Sequence, residues 1–304
     1  MANPLLASSL NLANHTGGAW SKNIKGGILG QLVSGEPQLK IGKTDHFTFT
    51  GTPKAELVGE GQNKSSEDGQ PPKKTVSTYK VQITYRYSDE LMISDEEYQT
   101  GIIDGLVANT ATAISRALDL VAIHGINPKT GLIASSVTEY FDRAGNGVGR
   151  VIATANSEND IEELAKDLQG AGYSATGIAF DPVYAGELAR VKDLNGNQKY
   201  PELGLGFNVT NFRGLPAASG DTVSGRQELE ASEVSVQGIM GDWEAFKWGV
   251  ARDMPLELIQ YGDPDGLGDL KRTNEVAIRA EAIFGYAILD PAAFSIVSRL
   301  AASS

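Results

Sequence analysis

A long loop between two predicted strands constrains this chain more than any other feature. Residues 46–50 alternate apolar and polar side chains briefly, and the run from Tyr79 to Tyr87 alternates without interruption. The stretch from Gly51 to Lys74 has no helical period and is rich in glycine, proline and charge. A connection of this length is uncommon inside a self-contained domain. We therefore expect an extended hairpin that reaches outward, toward another copy of the chain.

A long helix is predicted directly after this hairpin. Ser94 and Glu97 have the spacing of a capping box, so the helix is expected to begin at Asp95, and Gly125 marks its end. Roughly 30 residues at 1.5 Å each make a rod of about 45 Å, which is longer than most helices of globular proteins. Such a rod is expected to extend beyond a single compact core.

The two sides of this helix differ in polarity. An apolar stripe predicts the side that packs on its own domain, and charged residues fall on the opposite side. The segment GLVANTATAIS, residues 105–115, carries no charge on any face, so we expect another element to cover its back. The stripe consists of Ile103, Val107, Ile114, Leu118 and Val121, and the opposite side of Asp104, Arg116 and Asp119.

A compact α/β unit is predicted in the middle of the chain, from about residue 130 to 240. A first helix over residues 161–168 follows Ser157, which is expected to cap it. A short strand then leads to Asp181, a cap for a second helix with Pro182 at its first position. Helices that alternate with short strands indicate a mixed helix-and-sheet unit.

The last quarter of the chain predicts long strands. Residues 273–289 alternate almost without a break, and a single strand of that length would extend about 55 Å, well beyond the usual length. Residues 246–261 are its predicted partner, with the tip of this second hairpin at residues 262–269. We expect this strand to join two parts of the molecule.

Composition excludes several classes of protein. The 304 residues contain no cysteine, which removes disulfides, thiolate metal sites and cysteine nucleophiles and suits a reducing cytoplasm. The net charge of -12 argues against tight binding to phosphate backbones. The N-terminus lacks the pattern of a signal peptide, and no apolar run approaches the roughly 18 residues of a membrane span. We expect a soluble protein.

No motif for catalysis, a cofactor or a metal is complete. Residues 42–44, GKT, end like a phosphate-binding loop but lack its first glycine, and residues 204–206, GLG, lack the third glycine of a dinucleotide fingerprint. Three aspartates in residues 262–269 offer oxygens to Ca²⁺, but the loop lacks the spacing and closing Glu of an EF-hand. Aspartate and glycine are also typical of turns. We therefore expect no catalytic residue, no cofactor and no metal.

Several segments, taken in order, resemble one known family. The segments are AELVGEG (55–61), ISDEEY (93–98), INPKTGLI (126–133), DPVYAGELARVKDLNGNQKYP (181–201), FRGLPAAS (212–219), GDWEAFKWGV (241–250) and NEVAIRAEAIFGYAILDPAAF (274–294). No segment is specific alone, but their order and spacing over residues 30–296 are similar to those of the major capsid proteins of tailed bacteriophages, with the Hong Kong-ninety-seven-type fold that encapsulins share.

The resemblance implies an α+β fold of the phage-capsid type. It has an N-terminal arm, an extended β-hairpin loop, a peripheral domain with a long spine helix and long β-strands, and an axial α/β domain. We expect the arm, which is rich in Asn, Ser and Gly, to be held by neighbours or mobile. The implied boundaries are 1–38 for the arm, 39–90 for the hairpin loop, 91–128 with 244–285 for the peripheral domain, and 129–243 with 286–304 for the axial domain.

The resemblance also implies a function. A major capsid protein assembles with itself into pentamers and hexamers, which form the icosahedral shell enclosing the double-stranded DNA of a tailed bacteriophage without sequence-specific binding. Its location is the virion capsid, assembled in the cytoplasm of the bacterial host, with no membrane and no enzymatic activity. A portal and a decoration protein are further partners, and the start at Met1 without a charged helical leader favours a separate scaffolding protein.

Two alternatives stay open at this point. An encapsulin-like nanocompartment has the same fold and holds a cargo enzyme instead of a genome. A soluble α/β enzyme, from a different class, would use a pocket in residues 150–240 and stay a small oligomer. Assembly into closed shells distinguishes the enzyme from both shell-forming proteins.

In this family the hairpin loop lies over the spine helix of a neighbour, which implies candidate contacts here. Gly101 and Gly105 each cost up to about 1 kcal/mol inside a helix and mark a hinge for shell maturation. Some members carry a covalent Lys–Asn cross-link, but Lys54, Lys64 and Asn274 lie in no specific motif here, and we interpret them as solvated residues. The candidate interface residues are Glu56, Val58, Glu60 and Lys64 on the loop, and Asn109, Thr112 and Arg116 on the helix.

Overall fold

Two large β-sheets, a separate two-stranded pair and one long helix organise the described part of the chain. The structure is a computed structural model that describes residues 27–35, 45–47, 55–60, 62–63, 73–90, 96–206, 208–230, 236–252 and 256–299. Its helices are α1 (Leu29–Leu32), α2 (Glu96–His124), α3 (Ser157–Gly170) and α4 (Pro182–Ala189). Its strands are β1 (Asp45–Phe47), β2 (Lys73–Thr75), β3 (Ser77–Ser88), β4 (Gly149–Ile152), β5 (Gly177–Phe180), β6 (Asn211–Phe212), β7 (Leu215–Ser219), β8 (Val236–Gly241), β9 (Phe246–Arg252), β10 (Leu256–Ile259), β11 (Glu275–Ile288) and β12 (Phe294–Ser298).

The first hairpin has a short base. Strands β1 and β2 pair antiparallel, with Asp45 opposite Thr75 and Phe47 opposite Lys73. A hairpin is therefore confirmed, but its predicted second strand was wrong, because the alternating run from Tyr79 to Tyr87 lies in β3 and pairs with β11. The long strand finds a partner of matching length far along the chain.

The longest strand, β11, is the centre of a four-stranded sheet. It pairs antiparallel with β3 on one side, from Glu275 opposite Ser88 to Tyr286 opposite Ser77. On its other side it pairs antiparallel with β9 and β10. The predicted long strand and its predicted partner region are both confirmed, with the partner divided into two strands.

A six-stranded sheet has the order β4-β12-β8-β5-β7-β6. The β12–β4 and β5–β7 pairs are parallel, and the other pairs are antiparallel. Helix α3 buries Ile161, Leu164 and Leu168, which share one face of the helix, in a cluster with residues of β5 and α4. The predicted alternation of helices and short strands in residues 130–240 is confirmed, and strand β12 lies in the same sheet.

Capping at α3 and α4 was predicted with different success. Asp181 caps α4 as expected, since its Oδ2 accepts a hydrogen bond from Val183 N at 3.1 Å. Helix α3 was expected to be capped by Ser157, but its cap is Asn156, whose Oδ1 accepts from Asn159 N at 3.3 Å. Asn and Ser are both favourable capping residues. With Asn156 as the cap, the helix begins at Ser157, one residue earlier than it would with Ser157 as the cap.

Helix α2 confirms the predicted spine. Its described residues run from Glu96 to His124, while the predicted start at Asp95 and the predicted cap Ser94 lie outside the described residues. It ends before Gly125, which has a φ of +68° and donates its N–H to Val121 O at 3.0 Å. A Cβ atom at Gly125 would lie 2.5 Å from the ring of Tyr140, so glycine is required there for both conformation and space.

The main core joins α2 to both sheets. Phe141 is fully buried and lies 4.9 Å from Phe294, 5.5 Å from Phe246 and 6.1 Å from Trp243, measured between ring centroids. Buried residues of α2, β5, β8, β11 and β12 belong to the same cluster. The C-terminal part of the helix is thus held by aromatic packing from distant parts of the chain.

Residues 27–35 differ from the expectation for the N-terminal arm. Ile28 and Leu29 are 0% exposed and belong to the main core of the same chain. The arm was expected to be held by neighbours or mobile, and this short part of it is instead packed within its own subunit. The rest of the predicted arm lies outside the described residues.

Candidate assembly surfaces

The distal part of the first hairpin loop is exposed in the single chain. Leu57 is 101% exposed, Glu56 and Glu60 are exposed beside it, and Val58 is half-buried. Lys64, the fourth candidate on this loop, lies outside the described residues. A fully exposed leucine on an extended loop gains free energy only if another surface covers it.

One stretch of α2 presents an uncharged face to solvent. Ala108, Asn109 and Ala111 are exposed and Thr112 is half-buried, and we call these four residues the uncharged helix face. The hydroxyl of Thr112 donates to Ala108 O at 3.0 Å, so its proton is used within the helix. Small side chains without charge allow another backbone to approach closely.

Arg116, the third helix candidate, is occupied within its own subunit. Its side chain donates to Asp221 Oδ1 at 2.8 Å and to Glu228 Oε1 at 2.6 Å, and the residue is 6% exposed. The side of the helix opposite the apolar stripe is therefore buried at Arg116 and Asp119, because residues of the segment 220–229 bind both side chains. Of the helix candidates, Asn109 and Thr112 reach the accessible surface.

The hinge candidates Gly101 and Gly105 lie within the continuous helix α2. A Cβ atom at Gly105 would meet nothing within 4 Å. Packing therefore does not require glycine at this position, and its effect there is on the helix backbone alone.

The acidic loop at the tip of the second hairpin binds an arginine. Arg86 Nε lies 2.9 Å from both carboxylate oxygens of Asp265, Nη2 donates to Asp263 at 3.2 Å, and Nη1 donates to Glu275 at 3.1 Å. The guanidinium holds the pKa of Asp265 below its usual value. These carboxylates therefore bind a cationic side chain of the chain itself.

Asp269, the remaining acidic residue of this loop, accepts a hydrogen bond from Lys271 N at 2.9 Å and caps a short helical turn. Across the part of the chain that the structure describes, no three His, Asp or Glu side chains are grouped as a metal site requires. Within the same residues, no helix combines the length and the apolar character needed to cross a bilayer.

The α/β unit contains an open groove, which would be the substrate site under the alternative hypothesis of a soluble enzyme. It has a volume of about 470 Å³ and lies beside α3, with Ile161, Phe212 and Met240 among its apolar lining. No histidine lines it, and its lysine, Lys166, is bound to Glu163 at 2.8 Å on the exposed helix surface. The groove combines an apolar lining with charged side chains at the surface.

Two sets of contacts were missed by reasoning from the sequence. One is the Arg86 cluster, and the other is the buried carboxylate of Asp119, which binds the backbone of residues 28 and 29. In both sets the partners are separated by 90 or more residues. The available signal was the charge of Arg116 and Asp119 inside the otherwise apolar run SRALDLVAI, which is typical of a buried polar network.

Comparison with known proteins gives a consistent result. The model of the phage capsid family matches residues 25–298. A solved structure from Mycobacterium phage Ogopogo has 36% sequence identity and a TM-score of 0.84, covering 96% of this chain and 98% of its own. A second, from Gordonia phage Cozz, has 28% identity and a TM-score of 0.77, covering 96% and 92%.

The capsid of a native GTA particle is similar in fold alone, with 14% identity, a TM-score of 0.63, and coverage of 96% of this chain and 98% of its own. A search of curated proteins found no match. The similarity to solved structures extends over nearly the whole chain and therefore includes the extended elements as well as the sheets.

Proposed function

The chain belongs to the phage capsid family, and from this premise we propose how its exposed elements join copies into a shell. The protein is a structural, capsid-forming subunit that assembles with itself into capsomers. The finer proposal is that these are pentamers and hexamers of an icosahedral shell around the double-stranded DNA of a tailed bacteriophage. The observation that carries it is that one chain exposes both an apolar loop tip and an uncharged helix face.

The proposed contact places the distal loop, residues 55–63, on the uncharged helix face of an adjacent subunit. Leu57 supplies a large apolar side chain that its own chain leaves uncovered, and Ala108 and Ala111 leave room for it. Burying a leucine contributes about 1.5–3 kcal/mol. A contact of this size is modest alone, but it is repeated in every copy of a closed shell and the contributions add.

The acidic residues of the loop have a second role in this proposal. Glu56 and Glu60 flank Leu57 and Val58, and the uncharged helix face contains no carboxylate that would repel them. We place both carboxylates at the rim of the contact, where water still reaches them. Lys64 is placed at the same rim, and Asn109 and Thr112 within the contact.

The division of the subunit follows the family boundaries in our proposal. Residues 91–128 with 244–285 form the peripheral domain, residues 129–243 with 286–304 the axial domain, and residues 1–38 the arm. Gly101 and Gly105 act as the hinge of the spine helix when the shell rearranges. The open space around Gly105 supports the hinge, because glycine there weakens the helix without serving its packing.

The proposed partners follow from the same role. A separate scaffolding protein, a portal and a decoration protein act with the shell, which assembles in the cytoplasm of the bacterial host. The subunit has no catalytic activity of its own and encloses DNA without reading its sequence. The net charge of -12 supports this last point, because such a wall does not bind a phosphate backbone tightly.

The contact is tested by a disulfide between two different subunits. The chain contains no cysteine, so Leu57→Cys and Ala111→Cys introduce the only thiols. The two variants are made separately, mixed, assembled and oxidised. If loop and helix face meet between subunits, a covalent dimer forms on non-reducing electrophoresis, because a disulfide requires Cα atoms within about 7 Å. The dimer disappears with reductant and is absent from the unassembled mixture.

The control pairs Leu57→Cys with Val183→Cys, which lies on the exposed surface of α4. This pair is expected to give no dimer in shells assembled in the same way. Equal dimer formation with both pairs, or shells that form without any dimer to residues 108–112, would refute the contact. Deletion of residues 55–72 is expected to give a folded chain that does not assemble.

A further inference from the structure

Residues 27–35 connect three separate parts of the subunit. The N–H of Gly27 donates to Ser115 Oγ on α2, and the indole Nε1–H of Trp248, on β9, donates to Val33 O at 3.0 Å. Between these points, Ile28 belongs to the same core cluster as Ala218 of β7, and α1 packs on β7. We call residues 27–35 the bridging segment, because it contacts the spine helix, the six-stranded sheet and the four-stranded sheet.

The bridging segment fits these surfaces closely. A Cβ atom at Gly27 would lie 2.5 Å from Ser115 O, and one at Gly220 would lie 2.4 Å from Cγ2 of Ile28. A Cβ atom at Gly35 would lie 3.1 Å from the Trp248 ring. Three glycines at close contacts indicate that the segment occupies a shaped seat and does not merely lie on the surface.

The centre of this seat is the carboxylate of Asp119. Its Oδ2 accepts from Ile28 N at 2.6 Å and from Thr222 Oγ1 at 2.7 Å, and its Oδ1 accepts from Leu29 N at 3.2 Å. The residue is 0% exposed. All three donors are neutral, and two of them belong to the bridging segment.

The charges around Asp119 do not compensate it fully. Arg116, one turn earlier on α2, is bound to Asp221 and Glu228 of the loop that packs over the helix. His124, farther along the helix, is buried with Nε2 at 3.3 Å from Thr222 O and Nδ1 at 3.9 Å from Asp142. The bridging segment has no titratable side chain. An ionised Asp119 is therefore one of several carboxylates that share a single arginine.

Burial raises the pKa of Asp119 from 3.8 to about 6, and the hydrogen bonds from Thr222, Ile28 and Leu29 oppose that rise only in part. If the bridging segment lifts, water reaches the carboxylate and its pKa returns toward 3.8. The seated form therefore holds the proton more tightly than the lifted form. Lowering the pH through about 6 favours the seated form, and raising it favours release.

We propose that the bridging segment is a releasable latch that fixes the spine helix to both sheets, with Asp119 as its seat, and that ionisation of Asp119 loosens it. While the latch is seated, the three parts move as one body. When it lifts, the spine helix loses its contacts with residues 27–29, and β9 loses the hydrogen bond from Trp248 to Val33. The latch operates within one chain and does not depend on the proposed contact between subunits.

Hydrogen exchange on the full-length protein tests the latch. The peptide that covers residues 27–35 is followed by mass spectrometry at about pH 5 and about pH 7.5, with correction for the pH dependence of the chemical step. The two pKa values of Asp119 predict that opening is about tenfold more populated at the higher pH. Asp119→Asn, which cannot ionise, is expected to remove most of this difference.

Two variants separate the seat from general loss of packing. Asp160 is also a buried carboxylate and accepts from Thr154 N at 2.9 Å, so Asp160→Asn is a matched change that is expected to leave exchange in residues 27–35 unaltered. Trp248→Phe removes the bond to Val33 O and is expected to increase exchange at both pH values by the same factor. This variant and the wild-type pH series test the latch even if Asp119→Asn does not fold.

Three results would overturn the proposal. The first is exchange of the wild-type peptide that is independent of pH, and the second is slower exchange at the higher pH. The third is a pH dependence that persists in Asp119→Asn. Any of them would leave the capsid function and the loop contact untouched, because the measurement is made within one chain.

Discussion

The two halves of helix α2 have opposite relations to the rest of the subunit. From Arg116 to His124 every described side chain is buried, whereas Ala108, Asn109 and Ala111 are exposed. The charged residues Arg116 and Asp119 lie in the buried half, and the exposed face carries no charge. This is the reverse of the usual pattern, in which charge marks the solvent side of a helix.

Helix α2 can therefore serve both the fold of the single chain and a contact between copies. The buried half belongs to the fold of the single chain, and its charges are bound by Asp221, Glu228, Thr222 and the bridging segment. The exposed half lacks a partner within the described residues of its own chain that would cover its small side chains. Its composition suits a contact that forms only when copies assemble. Substitutions in one half of the helix at a time separate these two roles.

The largest effect is expected in the buried half. Phe141→Ala removes a fully buried ring that packs on three aromatic residues beneath the helix, and such a change costs about 3–5 kcal/mol of unfolding free energy. Asn109→Ala on the exposed face is expected to change it by about 0.5 kcal/mol or less, while reducing assembly. Denaturant unfolding measures the first quantity and light scattering of shells the second.

Equal losses of unfolding free energy in Phe141→Ala and Asn109→Ala would contradict the comparison. They would mean that the exposed half is packed within its own subunit in solution. A loss of assembly in Asn109→Ala without a loss of unfolding free energy would support a role of the exposed half in assembly alone.

An intermediate effect is expected at the boundary between the halves. Arg116→Ala leaves Asp221 and Glu228 without their shared cation, and breaking such a buried pair costs about 3 kcal/mol. Arg116→Lys is expected to lower the unfolding free energy by a smaller amount, since one ammonium group cannot fully replace the forked contact with two carboxylates. Thermal and denaturant unfolding of both variants measure the difference.

Lys166→Ala is the matched control for that boundary. Lys166 forms an ion pair with Glu163 on an exposed surface, and such pairs contribute little. If Arg116→Ala were as mild as Lys166→Ala, the charges in the buried half would not hold the helix, and the contrast between the halves would rest on apolar packing alone.

The smallest effect, of opposite sign, is expected in the exposed half. Gly105→Ala adds a methyl group that meets nothing within 4 Å, so the subunit is expected to gain up to about 1 kcal/mol. If Gly105 is a hinge, the same change slows rearrangement of the assembled shell, and Gly101→Ala slows it further. Unfolding of the subunit and a scattering time course of the shells record the two effects.

Ala108→Gly is the reciprocal variant, because it lowers helix propensity within the same face. It is expected to destabilise the subunit by a similar amount without slowing rearrangement. If shells of Gly105→Ala rearrange at the wild-type rate, Gly105 is not a hinge.

Patterns local in the chain predicted most of the fold. Alternation over residues 273–289 predicted β11, Gly125 predicted the end of α2, and Asp181 with Pro182 predicted the start of α4. Each of these signals depends on neighbours within a few residues. The resemblance to capsid proteins, carried by the order of segments, gave the fold class.

Pairings between distant residues were beyond this kind of reasoning. The partner of the strand that includes Phe47 is β2 and not β3, because β11 competes for β3 with a strand of matching length. Arg116 was predicted at a contact between subunits, and its bonds to carboxylates 105 and 112 residues later in the chain could not be predicted from local patterns. Periodicity locates the sides of a helix, but it does not show which later segment covers each side.

The pairing of β11 with β3 has a mechanical consequence. Their antiparallel register runs from Glu275 opposite Ser88 to Tyr286 opposite Ser77, and β12, which follows β11 in the chain, lies in the other sheet. A pull directed along β11 loads all the interstrand hydrogen bonds together, in shear, whereas a pull across the sheet would open them one after another. A wall built from such subunits resists tension along the strand with the whole length of the ladder and is weakest to peeling.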